Sequence, residues 1–242
     1  MRKNNREFDE MRKINIEPNY LKYAEGSCLF QIGNTKVICS ASIEDNVPMF
    51  LKGQGVGWIT SEYSLLPRSC KTRVPRESTK GKKTGRTYEI QRLIGRSLRS
   101  VVNMSLLGER TIFLDCDVLQ ADGGTRCASI SGSFIALWFA MSRLKEEGKI
   151  KKMPIKNFLW AISVGIINKE ICLDLDYNED SIAQVDMNIV MADNKKIIEI
   201  QGTAEKKPFT REQMDIMLDL STNAINTIIE KQREIVERNE EW

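Results

Sequence analysis

The stretch TIFLDCDVLQADGGTRCASISGSFIALWFAMSRLKEEG, residues 111–148, constrains the fold more than any other part of the chain. Its first ten residues are rich in strand formers and end at Gln120. Ile130, Phe134, Leu137, Trp138, Met141 and Leu144 then recur at helical spacing, and Gly148 is a stop signal. An apolar strand must therefore give way to an apolar helix across Asp122-Gly123-Gly124-Thr125-Arg126. At such a junction the first helical N–H groups have no intrahelical partner, and the helix dipole favours an anion. Paired glycines let a ligand approach the backbone closely, Thr125 adds a hydroxyl, and Arg126 adds a planar fork suited to phosphate oxygens. The same residues also suit a plain turn without a ligand, and neither the Walker spacing nor G-x-G-x-x-G is present.

Around this junction the pattern repeats loosely. Residues 27–44 read as a hairpin turning at Gly33-Asn34-Thr35, and 56–66 as a strand ended by Pro67. Residues 158–177 and 184–205 read as two more hairpins, turning near Asn168-Lys169 and Asp193-Asn194. Thr210 with Gln213 is a capping-box signal for a helix over 210–238. Strands, helix, strands, helix: this predicts an α+β fold with two similar β-α halves of mixed sheets and packed helices. The halves are residues 1–148, with the phosphate-type loop, and 149–242, with an aspartate cluster and the long terminal helix. Together they should form one compact unit.

Composition narrows the chemistry. There is no histidine, which removes the commonest acid–base catalyst and metal ligand. Catalysis must use carboxylates, cationic side chains, hydroxyls, cysteine or a metal held by oxygen. The six cysteines are scattered without a C-x-x-C pair and read as reduced. The N-terminus has no apolar signal-peptide centre, and no apolar run reads as a membrane span. The expectation is a cytoplasmic protein without a membrane partner.

Charge is concentrated. Residues 68–99 hold eleven Lys/Arg and two acids in a chain of net charge +3. Such a segment suggests a polyanionic partner, although a solvated charge run is the plainer alternative. Within it, 68–88 has no periodic apolar face and reads as a long mobile loop carrying Arg68, Arg73, Arg76 and Arg86. Residues 89–102 read as a helix with an apolar face and an opposite stripe of Arg92, Arg96 and Arg99, all unpaired.

The acidic counterpart is LDLDYNEDSIAQVDMN, residues 173–188. Asp174 and Asp176 should share a strand face, Asp180 should sit in a connection, and Asp186 on the next, half-buried strand. A carboxylate on an apolar strand is costly unless paired or metal-bound. Two chemistries fit equally: oxygen ligands for magnesium or manganese beside a substrate phosphate, or structural aspartates bonded to turn amides or arginine.

The runs GWITSEYSLLPR (57–68), GRTYEIQRLIGRSLR (85–99), LDCDVLQADGGTRCASI (114–130), LDLDYNEDS (173–181), DMNIVM (186–191) and EIQGTAE (199–205) resemble the ribonuclease PH family. The resemblance spans residues 2 to 235, leaving only the charged tail. It implies the ribonuclease PH-like fold and a phosphate-dependent 3′-exoribonuclease and nucleotidyltransferase that trims transfer RNA precursors, and by extension ribosomal RNA. It implies release of nucleoside diphosphates, a reversible reaction and a homohexameric ring built as a trimer of dimers. On the matching positions, Gly124, Thr125, Arg126 and Arg86 would bind inorganic phosphate, and Asp180 and Asp186 would be the catalytic, metal-holding pair. Arg92, Arg96 and Arg99 would hold the RNA backbone near the cut, and Arg68, Arg73 and Arg76 would grip it farther away. Without histidine, the leaving oxygen must take its proton from a carboxyl group, from phosphate or from metal-bound water, with phosphate or water favoured because a carboxylate that binds magnesium is poorly placed to carry a proton.

Three rivals have distinct signatures. A catalytically silent ring subunit of the same fold would bind RNA and release nothing. A two-metal hydrolase using Asp174, Asp176, Asp180 and Asp186 would release monophosphates. A small-molecule kinase would need the Walker lysine, where this chain has only Arg126.

Overall fold

A computed structural model describes residue 2 and residues 5–239; residues 240–242 of the charged tail lie outside it. β1 (Ile14–Pro18), β2 (Gly26–Ile32), β3 (Thr35–Glu44), β4 (Trp58–Leu65) and β5 (Thr111–Gln120) form one sheet in the order β1-β2-β3-β5-β4. Its neighbours are antiparallel except β4 and β5. A parallel pair requires a long crossover. Here that crossover carries α1 (Glu77–Lys80), α2 (Gly85–Ser100) and α3 (Met104–Leu107).

The second sheet contains β6 (Leu159–Ile167), β7 (Glu170–Leu173), β8 (Val185–Ala192) and β9 (Ile197–Ala204), in the order β7-β6-β8-β9 and antiparallel throughout. α4 (Thr125–Glu146) leads from the first sheet to the second, α5 (Tyr177–Ile182) joins β7 to β8, and α6 (Arg211–Asn239) follows β9.

Burial explains the strand patterns. β3 and β5 alternate buried and partly exposed residues, as strands with one packed face do. β6 reads LWAISVGII without alternation because α4 and α6 both pack on it. The predicted hairpin turn at Asn168-Lys169 is observed, with both residues at positive φ, as a two-residue type I′ turn demands. The capping box at Thr210 is also present: its hydroxyl accepts from the Gln213 amide at 3.3 Å, and its own amide donates to Gln213 Oε1 at 2.9 Å.

α4 lies between the sheets and touches β2, β3 and β5 on one side and β6 and β8 on the other. It is therefore buried nearly all round, serines included. A Cβ on Gly132 would lie 2.7 Å from Cys39 Sγ and 3.0 Å from Phe30 Cβ, so the missing side chain sets how closely helix and sheet meet. The expectation that no segment is long and apolar enough to cross a membrane needs correcting. α4 passes that test by length and composition, and its apolar character is spent on the protein core. The core is continuous across both sheets, with the Trp160 ring of β6 5.2 Å from the Phe30 ring of β2 and tilted 55° to it.

Two expectations about the basic segment are revised. The helix begins at Gly85, four residues before the apolar periodicity, because Thr84 caps it by accepting the Thr87 amide. The run 68–88 is not one structureless loop. Val74 N–H donates to Pro67 O at 2.9 Å, Ala121 N–H to Ser69 O at 2.9 Å, and Glu77 accepts from Thr84 N–H at 3.1 Å and the Thr87 hydroxyl at 2.7 Å.

Candidate active site

β5 delivers the chain to Asp122, and two left-handed glycines, Gly123 (φ 78°) and Gly124 (φ 68°), turn it into α4. No side chain caps the start of α4, so its first amides remain available to an anion. Thr125 Oγ1 lies 2.9 Å from the Tyr63 hydroxyl of β4. Burial pushes the Tyr63 phenol up, against the Thr125 hydrogen bond and the charges of Arg86 and Arg126, so it stays neutral at pH 7. Arg126 approaches Glu89 of α2 only to 3.7 Å, and its buried Nε finds no acceptor among the described residues. Its donors are thus largely uncommitted.

Facing this loop are two carboxylates. Asp186 projects from β8, where it pairs with Gly165 of β6 and Thr203 of β9. Burial first, then the charge of Asp180, pushes Asp186 up to about 6, against the pull of Arg126 and Arg86. Asp180 lies on α5 and is raised by burial too, with Arg126 and Arg86 opposing. Both arginines therefore sense both carboxylates.

All six residues singled out for phosphate or catalysis meet at one place. Arg86, Gly124, Thr125, Arg126, Asp180 and Asp186 line a cleft of about 320 Å³, together with Tyr63, Lys71, Tyr177 and Asn188. A second cavity of about 370 Å³ shares Arg86, Arg126, Asp180 and Asp186 and opens toward Gln201, Thr203 and Lys206. The carboxylates and arginines thus sit where two grooves join.

The six arginines assigned to RNA line neither cavity. Arg68, Arg73, Arg76 and Arg92 are exposed. The expected unpaired stripe on α2 is not found. Arg96 pairs with Glu199 of β9 at 2.6 Å, and Arg99 donates to Ile59 O at 2.7 Å with its guanidinium 4.4 Å from the Trp58 ring. Helical spacing placed these side chains on one face but could not show which neighbours fold onto it.

The acidic run is also divided. β7 ends at Leu173, so Asp174 and Asp176 share no strand face. Asp174 takes a left-handed φ of 52° and is buried under Arg12 and Arg6. Asp176 caps α5 in a capping box with Glu179. Both are accounted for structurally, which leaves Asp180 and Asp186 as the pair facing the cleft.

Comparison with known proteins identifies the chain. The two domain models of the 3′ exoribonuclease family match residues 10–141 and 157–224. Ribonuclease PH of Moorella thermoacetica is 60% identical over 236 residues, covering 98% of this chain and 94% of that protein. The chain belongs to the ribonuclease PH family. Ribonuclease PH of Bacillus pumilus is 57% identical over 236 residues, covering 97% of this chain and 98% of that protein. Among solved structures, a chain of the Archaeoglobus fulgidus exosome with RNA bound to the active site superposes with a TM-score of 0.80 at 23% identity, over 95% of this chain and 92% of that one. Rice Rrp46 superposes with a TM-score of 0.78 at 18% identity, over 96% of this chain and 98% of that one. These distant structural matches establish the shared fold.

The cleft also contains residues that sequence reasoning missed. Tyr63 carried no signal beyond lying on a strand, and its role appears only through Thr125. Asn188, two positions after Asp186 on the same strand face, accepts from Cys127 Sγ at 3.2 Å, and that spacing could have revealed it. The chemistry of the donor set fits a hard cation. Two carboxylates repel each other there, and a divalent ion would relieve that repulsion. Glu205 lines the second cavity with them and its charge also raises both, but among the described residues no third carboxylate, thiol or imidazole completes a three-ligand group, so substrate oxygens and water would fill the shell.

Proposed function

We propose that the chain is a phosphorolytic 3′-to-5′ exoribonuclease, a phosphate-dependent transfer RNA nucleotidyltransferase that trims precursor 3′ ends. The observation that carries this reading is that Thr125, Arg126 and the start of α4 line one cleft together with Asp180 and Asp186. Inorganic phosphate seated on Arg126, Thr125 and Arg86 attacks the terminal phosphodiester. The bond from phosphorus to the 3′-oxygen of the preceding nucleotide breaks, and a nucleoside diphosphate leaves. The leaving 3′-oxygen takes its proton from the phosphate or from water. Phosphate is a weak nucleophile, so holding it in line supplies much of the rate. Read backwards, the same geometry adds nucleotides from diphosphates.

Asp180 and Asp186 would hold magnesium or manganese, which when bound neutralises charge on the scissile group. Arg86 and Arg126 orient the phosphate and hold the carboxylates ionised, since their charges oppose the rise in both pKa values. The exposed Arg68, Arg73, Arg76 and Arg92 guide the RNA backbone toward the cleft. The working assembly is a homohexameric ring, a trimer of dimers. Tyr23, Met49 and Phe50 are large apolar side chains left exposed and are candidates for contacts between copies.

The test is direct. RNA with a radiolabelled 3′ extension is incubated with magnesium, with and without inorganic phosphate, and the released nucleotide is identified. Diphosphates that appear only with phosphate are expected. Monophosphates in both samples would mean hydrolysis, and bound RNA without release would mean a silent subunit. The 60% identity to a ribonuclease PH argues against the silent subunit.

A further inference from the structure

Ahead of β1, Arg2, Arg6 and Arg12 are buried. Of these, Arg12 touches both sides of the proposed site. One edge of its guanidinium is bidentate on Asp174, with Nε 2.9 Å from Oδ2 and Nη2 2.6 Å from Oδ1. The Arg12 backbone N–H donates to the same Oδ2 at 2.8 Å. The other edge turns to the glycine loop, where Nη1 donates to the Asp122 carbonyl at 2.5 Å. Thr35 holds that loop from β3. Its hydroxyl donates to Gly123 O at 2.7 Å and accepts from Asp122 N–H at 3.0 Å. Across a trans peptide, C=O and N–H point opposite ways. Fixing the carbonyls of Asp122 and Gly123 therefore aims the amides of Gly123 and Gly124 away from Arg12 and Thr35. The two loops are also in backbone contact. A Cβ on Gly123 would lie 2.6 Å from Leu175 O and from the Asp176 carbonyl carbon.

We infer that Arg12 and Thr35 are positioning residues that lock the phosphate loop onto the Asp174–Asp176 corner and so fix Thr125 and Arg126 relative to Asp180. The inference rests on the phosphorolytic reading above. Arginine suits the task because its planar fork donates from two edges at once, whereas a lysine ammonium cannot span the same acceptors. Displacing the nucleophile by a fraction of an ångström weakens both its binding and its alignment.

The experiment measures diphosphate release against phosphate concentration, RNA affinity without phosphate, and Tm. Arg12→Lys and Thr35→Val are each expected to raise the KM for phosphate about tenfold and to leave RNA affinity unchanged. Thr35→Ser, which keeps the hydroxyl, should restore the wild-type KM. Arg6→Lys is the control. Arg6 sits in the same network, on Asp174 at 3.4 Å and Glu179 at 3.1 Å, so its substitution should lower Tm and leave that KM alone. An unshifted KM in folded Arg12→Lys, or in Thr35→Val should Arg12→Lys not fold, overturns the inference while wild-type phosphorolysis stands. Wild-type protein that releases no diphosphate overturns the proposed function, and the inference with it.

Discussion

Glu179 is buried beside the cleft and pairs with Arg2 at 2.5 Å and Arg6 at 3.1 Å. Burial pushes its carboxyl up, but the Arg2 hydrogen bond, the Asp176 amide and the charges of Arg2 and Arg6 outweigh burial and leave it below its ordinary 4.5. A depressed folded pKa contributes stability that is full above pH 4.5 and is lost as pH falls through the folded value. Glu179→Gln should therefore cost about 3 kcal/mol at pH 7, as breaking a buried pair does. Its Tm deficit against wild type should shrink on acidification below pH 4.5; a deficit constant with pH would contradict the charged pair. At the cleft the balance is reversed. Asp186 is raised to about 6, a sign that ionising it strains the fold. Asp180→Asn and Asp186→Asn should each lower turnover at least about 100-fold while the metal-free protein keeps or gains Tm, because a destabilising charge is removed. Near-normal rates at saturating magnesium would remove the pair from the mechanism.

The glycine turn and α5 behave as one element because they meet without side chains. Gly123→Ala forces a Cβ into backbone atoms at a φ of 78°, so both loops must shift. Phosphorolysis should fall at least about tenfold with RNA affinity intact, measured by initial rates and by RNA titration. Lost RNA affinity at normal turnover would contradict this. At this scale the sequence was informative where local rules decide. Alternation and turn residues marked the hairpins around Gly33 and Asn168, and Thr210 with Gln213 marked the start of α6. The strand-to-helix junction at Gly123-Gly124 was likewise visible as a potential anion site. Tertiary partners were not visible. Arg12 and Asp174 are 162 positions apart, and Arg96 and Glu199 are 103 apart. Such separations leave no periodicity to read, so the N-terminal arginines went unnoticed and the α2 arginines looked unpaired. α5 was missed for another reason. Six residues are too few to show helical spacing, and its capping box was hidden within an acidic run.

At the scale of the whole molecule, Arg68, Arg73 and Arg76 are exposed and line neither cavity, while Lys71, Thr72 and Val74 between them line the cleft; a grip on RNA beyond the reacting nucleotide is their proposed role. Neutralising all three should weaken long RNA more than dinucleotides and reduce the salt slope of binding by about 2. Equal losses on short and long RNA would refute the grip. The three buried arginines of the N-terminal segment have a different consequence, one of timing. Arg2 meets Glu179 across 177 positions of chain. During synthesis at roughly 5–20 residues per second, Arg2 waits on the order of 10–35 s for its partner to be made. Until then Arg2, Arg6 and Arg12 lack their carboxylate partners, and the glycine turn lacks the Leu175–Asp176 backbone it packs against. The first sheet can assemble on the ribosome, but the cleft is among the last features of the protein to exist.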